Sequence, residues 1–190
     1  MMDSFNKEKS DFLKKKDKSK KGHIDKDIIK ILNQINSKKD YYTTSSCSGR
    51  IVLLEKLSKK KNESNWLFVK HDKIKFNEIK NTLKKYNQKI RELPLKAGNK
   101  EETSFGSNRF KHEIWLKQEP LILHVRCRDL ESAKKLLDAS RRIFKRAGII
   151  SLSEKKIVVE IIGTERIDAI IADKDFAADE KYIKNLVKYA

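Results

Sequence analysis

Apolar residues recur every three or four positions in four parts of the chain, and this spacing predicts amphipathic helices. The predicted helices begin near the following residues: Ile24, Asn77, Asp129 and Tyr182. Asp129 has a typical N-cap side chain, and its helix is predicted to run through Ala147 and to stop at Gly148, because glycine commonly follows the last helical residue. The charged segment Phe5–Lys21 is predicted to be a frayed or helical arm.

Alternating or continuous apolar runs predict strands between these helices. The predicted strands are 41–44, 51–57, 66–70, 113–128, 157–162 and 167–171. The second and third are predicted to pair as a hairpin, and the last two are predicted to flank a turn at 163–166. Pro120 is predicted to introduce a bulge or an edge position into the long strand, because proline cannot donate a ladder hydrogen bond.

Helices and strands occur in both halves without a regular strand–helix–strand repeat. This order predicts an α+β fold with a mixed or mostly antiparallel sheet. No glycine-rich fingerprint follows a strand, so the fold is not expected to be Rossmann-like. The length suits a single domain, 1–190, made of two loosely similar halves. Segment 93–111, with Pro94, Gly98 and Gly106, is predicted to be a flexible loop between them.

Charge is the strongest signal in the composition. The chain carries 45 Lys and Arg against 27 Asp and Glu, which gives a formal net charge of +18. The excess is uneven, because Arg50–Lys100 holds 15 basic and 5 acidic residues whereas Ser151–Ala190 holds 7 and 8. Such asymmetry favours a polyanionic partner, and a nucleic acid is the first choice. Simple solubility or a membrane surface are the alternatives.

Several classes of protein are not expected from this sequence. No apolar run approaches the roughly 18 residues that span a bilayer, and the lysine-rich N-terminus lacks the apolar core of a secretory signal. The two cysteines, Cys47 and Cys127, are too few for a disulfide framework or a four-cysteine zinc site, so no bound metal is expected. These features favour a cytoplasmic protein, and they leave the oligomeric state open.

One short string is rich in hydrogen-bond donors and is predicted to form a turn. Its residues are Ser45, Ser46, Cys47, Ser48, Gly49 and Arg50. Glycine lets a ligand approach the backbone, and hydroxyl and N–H groups can surround a carboxylate or phosphate. An arginine can then clamp the anion with two hydrogen bonds. The alternative is a tight turn between strands with an exposed arginine.

Two histidines are candidates for acid–base chemistry, because imidazole titrates near neutrality. His71 ends the predicted strand 66–70, and it is either a catalytic group or a surface residue. His124 and Arg126 alternate with leucine and valine, so they are predicted to share the polar face of a strand. That face is either a solvated surface or the floor of a pocket. Glu119 lies close to His124 in the sequence.

Four cations are predicted to lie at the C-terminal end of the helix that follows Asp129. They are Arg141, Arg142, Lys145 and Arg146. The helix dipole favours cations at a C-terminus without any ligand. Four cations in six positions are more than the helix dipole accounts for, and they would provide a binding site for phosphates. Together with Arg126, they are the candidate RNA-binding residues.

Several segments of the chain resemble the wybutosine-synthesising tRNA methyltransferase family in its archaeal form. They include 21–25, the string Tyr-Thr-Thr-Ser-Ser-Cys-Ser-Gly-Arg-Ile at 42–51, and 66–71, 119–125, 127–129 and 146–149. The resemblance runs from about Phe5 to the end of the chain. It implies N4-methylation of a demethylwyosine-type guanosine next to the anticodon of phenylalanine tRNA, with S-adenosylmethionine as the methyl donor. It also implies an α+β fold that is not Rossmann-like.

Site residues follow from the chemistry that this resemblance implies. The string Ser45–Arg50 is the candidate site for the amino-carboxylate of S-adenosylmethionine or for a phosphate. His71 or His124, with Glu119 nearby, is expected at the methyl-transfer site, where a base can accept the proton of the attacking nitrogen. A non-catalytic basic RNA-binding protein is the main competing interpretation, and a nucleoid-like DNA-binding protein is the third.

Overall fold

The computed structural model describes residues 3–15, 24–58, 60, 63–92 and 112–190, with the side chains of 91–92 excepted. The described helices are Ser4–Leu13 (α1), Ile29–Asn36 (α2, preceded by a 3-10 turn at Lys26–Ile28), Phe76–Glu92 (α3), Leu130–Arg141 (α4) and Glu180–Tyr189 (α5). The described strands are Tyr41–Cys47 (β1), Arg50–Lys56 (β2), Ser64–Lys70 (β3), Glu113–Glu119 (β4), Ile122–Cys127 (β5), Arg146–Ser153 (β6), Lys156–Ile162 (β7) and Ile167–Ala172 (β8). None of these helices is both long enough and apolar enough to cross a membrane.

The eight described strands form two four-stranded sheets in which every neighbouring pair is antiparallel. Sheet A has the order β1-β5-β7-β6, and sheet B has the order β3-β2-β4-β8. The predicted α+β class and the mostly antiparallel pairing are therefore confirmed. The predicted hairpin of β2 and β3 is also present.

The chain divides into two compact units, and each unit contains one sheet. Unit 1 comprises Met1–Gly49 and Pro120–Glu165, and unit 2 comprises Arg50–Glu119 and Arg166–Ala190. Segment 93–111, predicted as a loop between halves, lies outside the described residues. Because both of its flanks belong to unit 2, the boundaries between the units lie elsewhere. That the units act as a single domain stays a prediction.

The predicted strand 113–128 is in fact two strands, β4 in sheet B and β5 in sheet A. Pro120 stands between them, where it ends the ladder instead of bending a continuous strand. The two strands predicted to flank a turn at 163–166 are β7 and β8, and they do not pair with one another, since they belong to different sheets. Gly163 follows β7 and donates its N–H to the carbonyl of Leu121 at 2.8 Å. A Cβ on Gly163 would lie 3.2 Å from that of Pro120, so this close approach favours glycine.

The helix after Asp129 is shorter than predicted. It ends at Arg141, and the segment expected to be its last turn and glycine stop is the start of β6. Gly148 lies within that strand, opposite Glu160 of β7. The helical spacing of apolar residues was misleading here, because pairing with β7 along the whole of β6 decides the conformation.

The start of α3 also differs from the prediction. The helix begins at Phe76, so Asn77 is its second residue and not its cap. The N–H of Lys75 donates to the carboxylate of Glu78 at 2.7 Å, and this bond satisfies a donor at the helix start.

The core of unit 1 lies on one face of sheet A. Leu123 and Val125 of β5 and Val159 of β7 are fully buried there. They pack with Leu32 of α2 and Leu137 of α4. The predicted alternation along β5 is confirmed, because the leucine and valine positions face the helices.

Helix α1 packs on the opposite face of sheet A through aromatic rings. The rings of Phe5 and Phe12 lie 5.6 and 5.4 Å from that of Tyr42. The guanidinium groups of Arg126 and Arg128 also lie over the Phe5 ring, 5.4 and 4.5 Å from its centroid. The part of the arm at 4–13 is therefore helical, which is one of the two predicted alternatives; residues 14–15 form a turn and a bend, and 16–21 lies outside the described residues.

The core of unit 2 lies between one face of sheet B and two helices. Leu53, Leu116 and Ile171 face Ile79 of α3 and Ile183 of α5. Because neighbouring residues of a strand point to opposite faces, Leu54, Trp115 and Ile170 lie on the other side of the sheet.

Asp129 caps α4, and its contribution to stability can be measured. Its carboxylate accepts from the N–H of Ser132 at 2.8 Å and from its hydroxyl. These bonds lower the pKa of Asp129 below its ordinary value, and the bond from the backbone N–H has the larger effect. Asp129→Ala is expected to lower the free energy of unfolding by about 1 kcal/mol in urea denaturation at pH 7, whereas Asp129→Asn keeps the cap.

The matched control is Asp138→Ala on the exposed surface of the same helix, which is expected to leave stability nearly unchanged. Since the folded pKa of Asp129 is lowered, its contribution is complete above the ordinary aspartate pKa of about 4 and is lost as the pH falls through the folded value. Equal stability of the Asp129→Ala and Asp138→Ala variants at pH 7 would contradict this account.

Candidate active site

A row of polar side chains crosses sheet A on the face away from α2 and α4. Ser45 pairs with His124, and His124 pairs with Glu160. Directly paired residues of antiparallel strands share a face. We name this surface the histidine face, and its main side chains are Ser45, His124, Glu160, Ile122, Ile162 and Arg146.

Glu160 is hydrogen-bonded to the candidate base. His124 Nε2 and Glu160 Oε2 are 2.9 Å apart, and both side chains are about a quarter exposed. A carboxylate in this position fixes the orientation of an imidazole. Glu160 was not predicted as a site residue. The signal for it is a lone acid within the apolar strand 157–162.

Arg126 shares a face with His124 but is not a surface residue. Its side chain is covered by α1, and Arg126 is only 5% exposed. The guanidinium donates to the carbonyls of Cys127 and, at 2.6 Å, of Lys155, and it lies 3.6 Å from Glu8. The surface position that an RNA contact requires is therefore not found for Arg126.

The other four candidate RNA-binding cations do not all lie at the C-terminal end of one helix. Arg141 is the last residue of α4, Arg142 is its C-cap, Lys145 lies in the loop, and Arg146 begins β6. Arg141 donates to the carbonyl of Ala147 from Nη2 at 3.2 Å and from Nε at 3.3 Å, and these bonds stabilise the loop between α4 and β6. All four are exposed, and Arg146 projects on the histidine face.

The string 45–50 does not form a hairpin. Its first three residues end β1, and its last begins β2 in the other sheet. Ser48 donates its N–H and its hydroxyl to the Asp25 carboxylate, each at 2.9 Å. Gly49 has φ of 110°, a conformation that favours glycine. Two of the donors predicted to hold a ligand carboxylate thus hold a carboxylate of the protein itself.

Arg50 and Glu119 form an ion pair in unit 2. They face one another across β2 and β4, with Arg50 Nε 2.5 Å from Glu119 Oε2. The Arg50 guanidinium also lies 4.6 Å from the centre of the Trp66 ring. Glu119 is therefore the partner of an arginine, which its proximity to His124 in the sequence did not reveal.

The two candidate histidines are associated with different sheets, since His71 directly follows β3 of sheet B and His124 lies within β5 of sheet A. Because Ile51 pairs with Lys70, His71 follows the end of β3 beside the Arg50 end of β2. His124 lies in β5 of unit 1. Pairing within one sheet therefore does not place the two histidines beside each other, since β3 and β5 have no sheet in common.

The Cys127 thiol is part of the core of unit 1. Burial raises its pKa to about 12, so it is a neutral thiol at physiological pH. This residue is therefore a packing group and not a nucleophile.

The family model and the named relatives that this chain matches describe the same kind of protein. The family described as "Methyltransferase TYW3" matches residues 7–190. A Methanocaldococcus jannaschii protein named tRNA(Phe) 7-((3-amino-3-carboxypropyl)-4-demethylwyosine(37)-N(4))-methyltransferase is 36% identical, over 90% of this chain and 79% of its own. The tRNA wybutosine-synthesizing protein 3 homolog of Danio rerio is 32% identical, over 99% of this chain and 68% of its own.

Solved structures agree with this match. The PH1069 protein from Pyrococcus horikoshii superposes with a TM-score of 0.70 at 32% identity, covering 88% of this chain and 76% of that one. A protein from Aeropyrum pernix gives a TM-score of 0.67 at 26% identity, covering 87% and 86%. The family match spans nearly the whole chain, and so this protein belongs to the TYW3 methyltransferase family.

Proposed function

We propose that this protein transfers a methyl group from S-adenosylmethionine to N4 of a demethylwyosine-type base at position 37 of phenylalanine tRNA. Archaeal relatives at 36% and 35% identity are named for this substrate and this atom. The hydrogen-bonded pair of His124 and Glu160 on the histidine face is the observation that carries the proposal. It supplies the base that N-methylation uses.

The reaction makes one bond and breaks one bond at carbon. The N4 lone pair attacks the sulfonium methyl in line, a nitrogen–carbon bond forms, and the carbon–sulfur bond breaks with its electrons going to sulfur. The products are the methylated base, S-adenosylhomocysteine and the proton that leaves N4. Positioning of the two reactants supplies much of the acceleration.

His124 is suited to receive the proton. When Nε2–H donates to Glu160, Nδ1 is left as an acceptor that can take the proton from N4. Ser45 lies beside His124 in the same row and is exposed, so its hydroxyl can bind the base or its substituent. His71 stays a second candidate, in unit 2.

Arg50 is the strongest remaining candidate in the string 45–50 for binding the amino-carboxylate of S-adenosylmethionine. Its Nε is used by Glu119, and its two Nη groups make no hydrogen bond among the described residues. A guanidinium can bind a second carboxylate through these groups. Ser48 has the different task of fixing the turn through Asp25.

Phosphate contacts are assigned to exposed cations. Arg142, Lys145 and Arg146 lie at and after the end of α4 and are open to solvent. The strongly basic stretch 50–100 adds a long-range attraction that steers the polyanion.

The proposal is tested by single-turnover methylation of phenylalanine tRNA that carries the demethylated base. The wild-type protein with S-adenosylmethionine is expected to add one methyl group, detected by mass spectrometry of the digested RNA. His124→Ala is expected to lower the rate about 10²- to 10⁴-fold, with tRNA affinity little changed, because general-base assistance is worth that much. Glu160→Gln is expected to cause a smaller loss.

His112→Ala is the matched control and is expected to retain the wild-type rate, since His112 is outside the histidine face. Tight tRNA binding without any methyl transfer would instead indicate the non-catalytic RNA-binding protein. A loss of less than tenfold in both His124→Ala and His71→Ala would remove histidine from the mechanism.

Arg50→Ala is expected to weaken S-adenosylmethionine binding by about 2 kcal/mol, or about 30-fold, because a partly desolvated charge pair with the ligand carboxylate is lost. Calorimetric titration measures this change directly. Glu119→Gln is the control, since it removes the partner of Arg50 and retains the guanidinium. If Arg50→Ala binds S-adenosylmethionine as tightly as the wild type does, the assignment of Arg50 is wrong.

A further inference from the structure

Both tryptophans of the chain lie on the same face of sheet B, opposite the helices of unit 2. Leu54 pairs with Trp66 on one side and with Trp115 on the other, and Trp115 pairs with Ile170. Since paired residues share a face, this row lies opposite Leu53 and Leu116 in the core. We name this surface the tryptophan face, and it comprises Leu54, Trp66, Trp115, Lys117, Asp168 and Ile170.

Large apolar side chains are exposed on the tryptophan face. Trp66 is 52% exposed, Val69 beside it is 43% exposed, and Ile170 is 37% exposed. The described hydrophobic core of unit 2 contains α3 and α5 and uses the opposite face. Exposed apolar side chains grouped on one sheet face and bordered by polar groups are typical of a binding surface.

Each indole ring is in contact with cations. The guanidinium of Arg50 lies 4.6 Å from the Trp66 centroid, and the ammonium groups of Lys56 and Lys117 lie 5.3 and 5.6 Å from that of Trp115. These contacts are favourable without a ligand, and they hold one cation over the Trp66 ring and two over the Trp115 ring.

The acids of this face are already paired within the protein. Glu119 binds Arg50, and Glu113 accepts from the Trp115 indole N–H at 2.9 Å. Asp168 binds Arg166 and lies 2.7 Å from Lys117. Burial alone would raise the pKa of Asp168, but the hydrogen bonds from Arg166 and Lys117 outweigh it and lower the pKa. The face therefore does not repel a polyanion.

We propose that the tryptophan face binds unpaired nucleotides of the RNA substrate, with bases stacked on Trp66 and Trp115 and phosphates bound by Lys56 and Lys117. The proposal rests on the proposed function in taking an RNA as the substrate. Aromatic side chains flanked by cations match a single strand, because its bases are free to stack and its phosphates are anionic. A duplex fits poorly, since its bases are already stacked on one another.

Charge favours RNA over a protein partner. The segment Arg50–Lys100, from which β2, β3 and α3 come, holds 15 basic and 5 acidic residues. A protein that docked on the apolar row would not require this excess, whereas a polyanion is attracted by it.

Intrinsic fluorescence tests the proposal directly, because the chain has only two tryptophans and both lie on this face. The full-length protein is titrated with an unmodified anticodon stem-loop RNA and, separately, with inorganic polyphosphate, which carries charge but no bases. Quenching by the RNA and little change with polyphosphate is the expected result. Equal responses to the two polyanions, or RNA binding without quenching, would overturn the proposal.

Variants measure what stacking contributes to affinity. Trp66→Ala is expected to weaken stem-loop binding about tenfold, and Trp66→Phe to retain most of the affinity, because a ring of either kind can stack. Leu152→Ala is the matched control, an exposed apolar residue on β6 of unit 1, and it is expected to bind normally. Equal affinities of the Trp66→Ala and Leu152→Ala variants would contradict base stacking on Trp66.

The outcomes separate this inference from the proposed function. Methylation of the tRNA together with a fluorescence response that does not depend on bases would overturn the inference alone. Base-dependent quenching without methylation would overturn the proposed function and leave the tryptophan face as a site for single-stranded RNA.

Discussion

Each of the two sheets packs one face against a pair of core helices, α2 and α4 on sheet A and α3 and α5 on sheet B, and this packing decides which strand positions must be apolar. On sheet A the buried positions of β5 are Leu123 and Val125, and the alternating position between them is His124. On sheet B the buried positions of β2 and β4 include Leu53 and Leu116, next to Leu54 and Trp115. A one-residue slip of β5 or β4 would move His124 or Trp115 into a helix-covered core.

The surfaces that result have different chemistry. The histidine face contains a bonded imidazole and carboxylate with an exposed serine beside them, which suits proton transfer and hydrogen bonding to a base. The tryptophan face contains indole rings and cations, which suits stacking and phosphate binding. Arg126 shows that two residues on the same face of one strand can have different roles. It shares a face with His124, but α1 covers it and makes it a structural group.

Local signals predicted much of the fold. The alternation around His124 and the cap at Asp129 both lie within a few neighbouring residues, and both are confirmed. Strand partners were not predictable in the same way. Ser45 pairs with His124, far along the chain, and the pairing of β6 with β7 gives strand where apolar spacing indicated helix. Such choices are made by contacts between distant segments, which no local pattern records.

The candidate site was predictable to a similar degree. His124 and Arg50 stand out as residue types, but their partners come from other strands. Glu160 is a lone acid in an apolar strand, and only the pairing of β5 with β7 brings it to His124. In the same way, Ser48 carries suitable donors, but Asp25 uses them.

The central claim is that the substrate RNA is bound and methylated on the face of each sheet that lies opposite its two core helices. Backbone amide chemical shifts of the isotope-labelled protein, recorded as the anticodon stem-loop RNA is added, test it most directly. The account predicts that the largest changes occur at Ser45, His124 and Glu160 and along the strands that carry Trp66 and Trp115. Changes confined to the outer surfaces of α2, α4 and α5, with both faces unaffected, would contradict it.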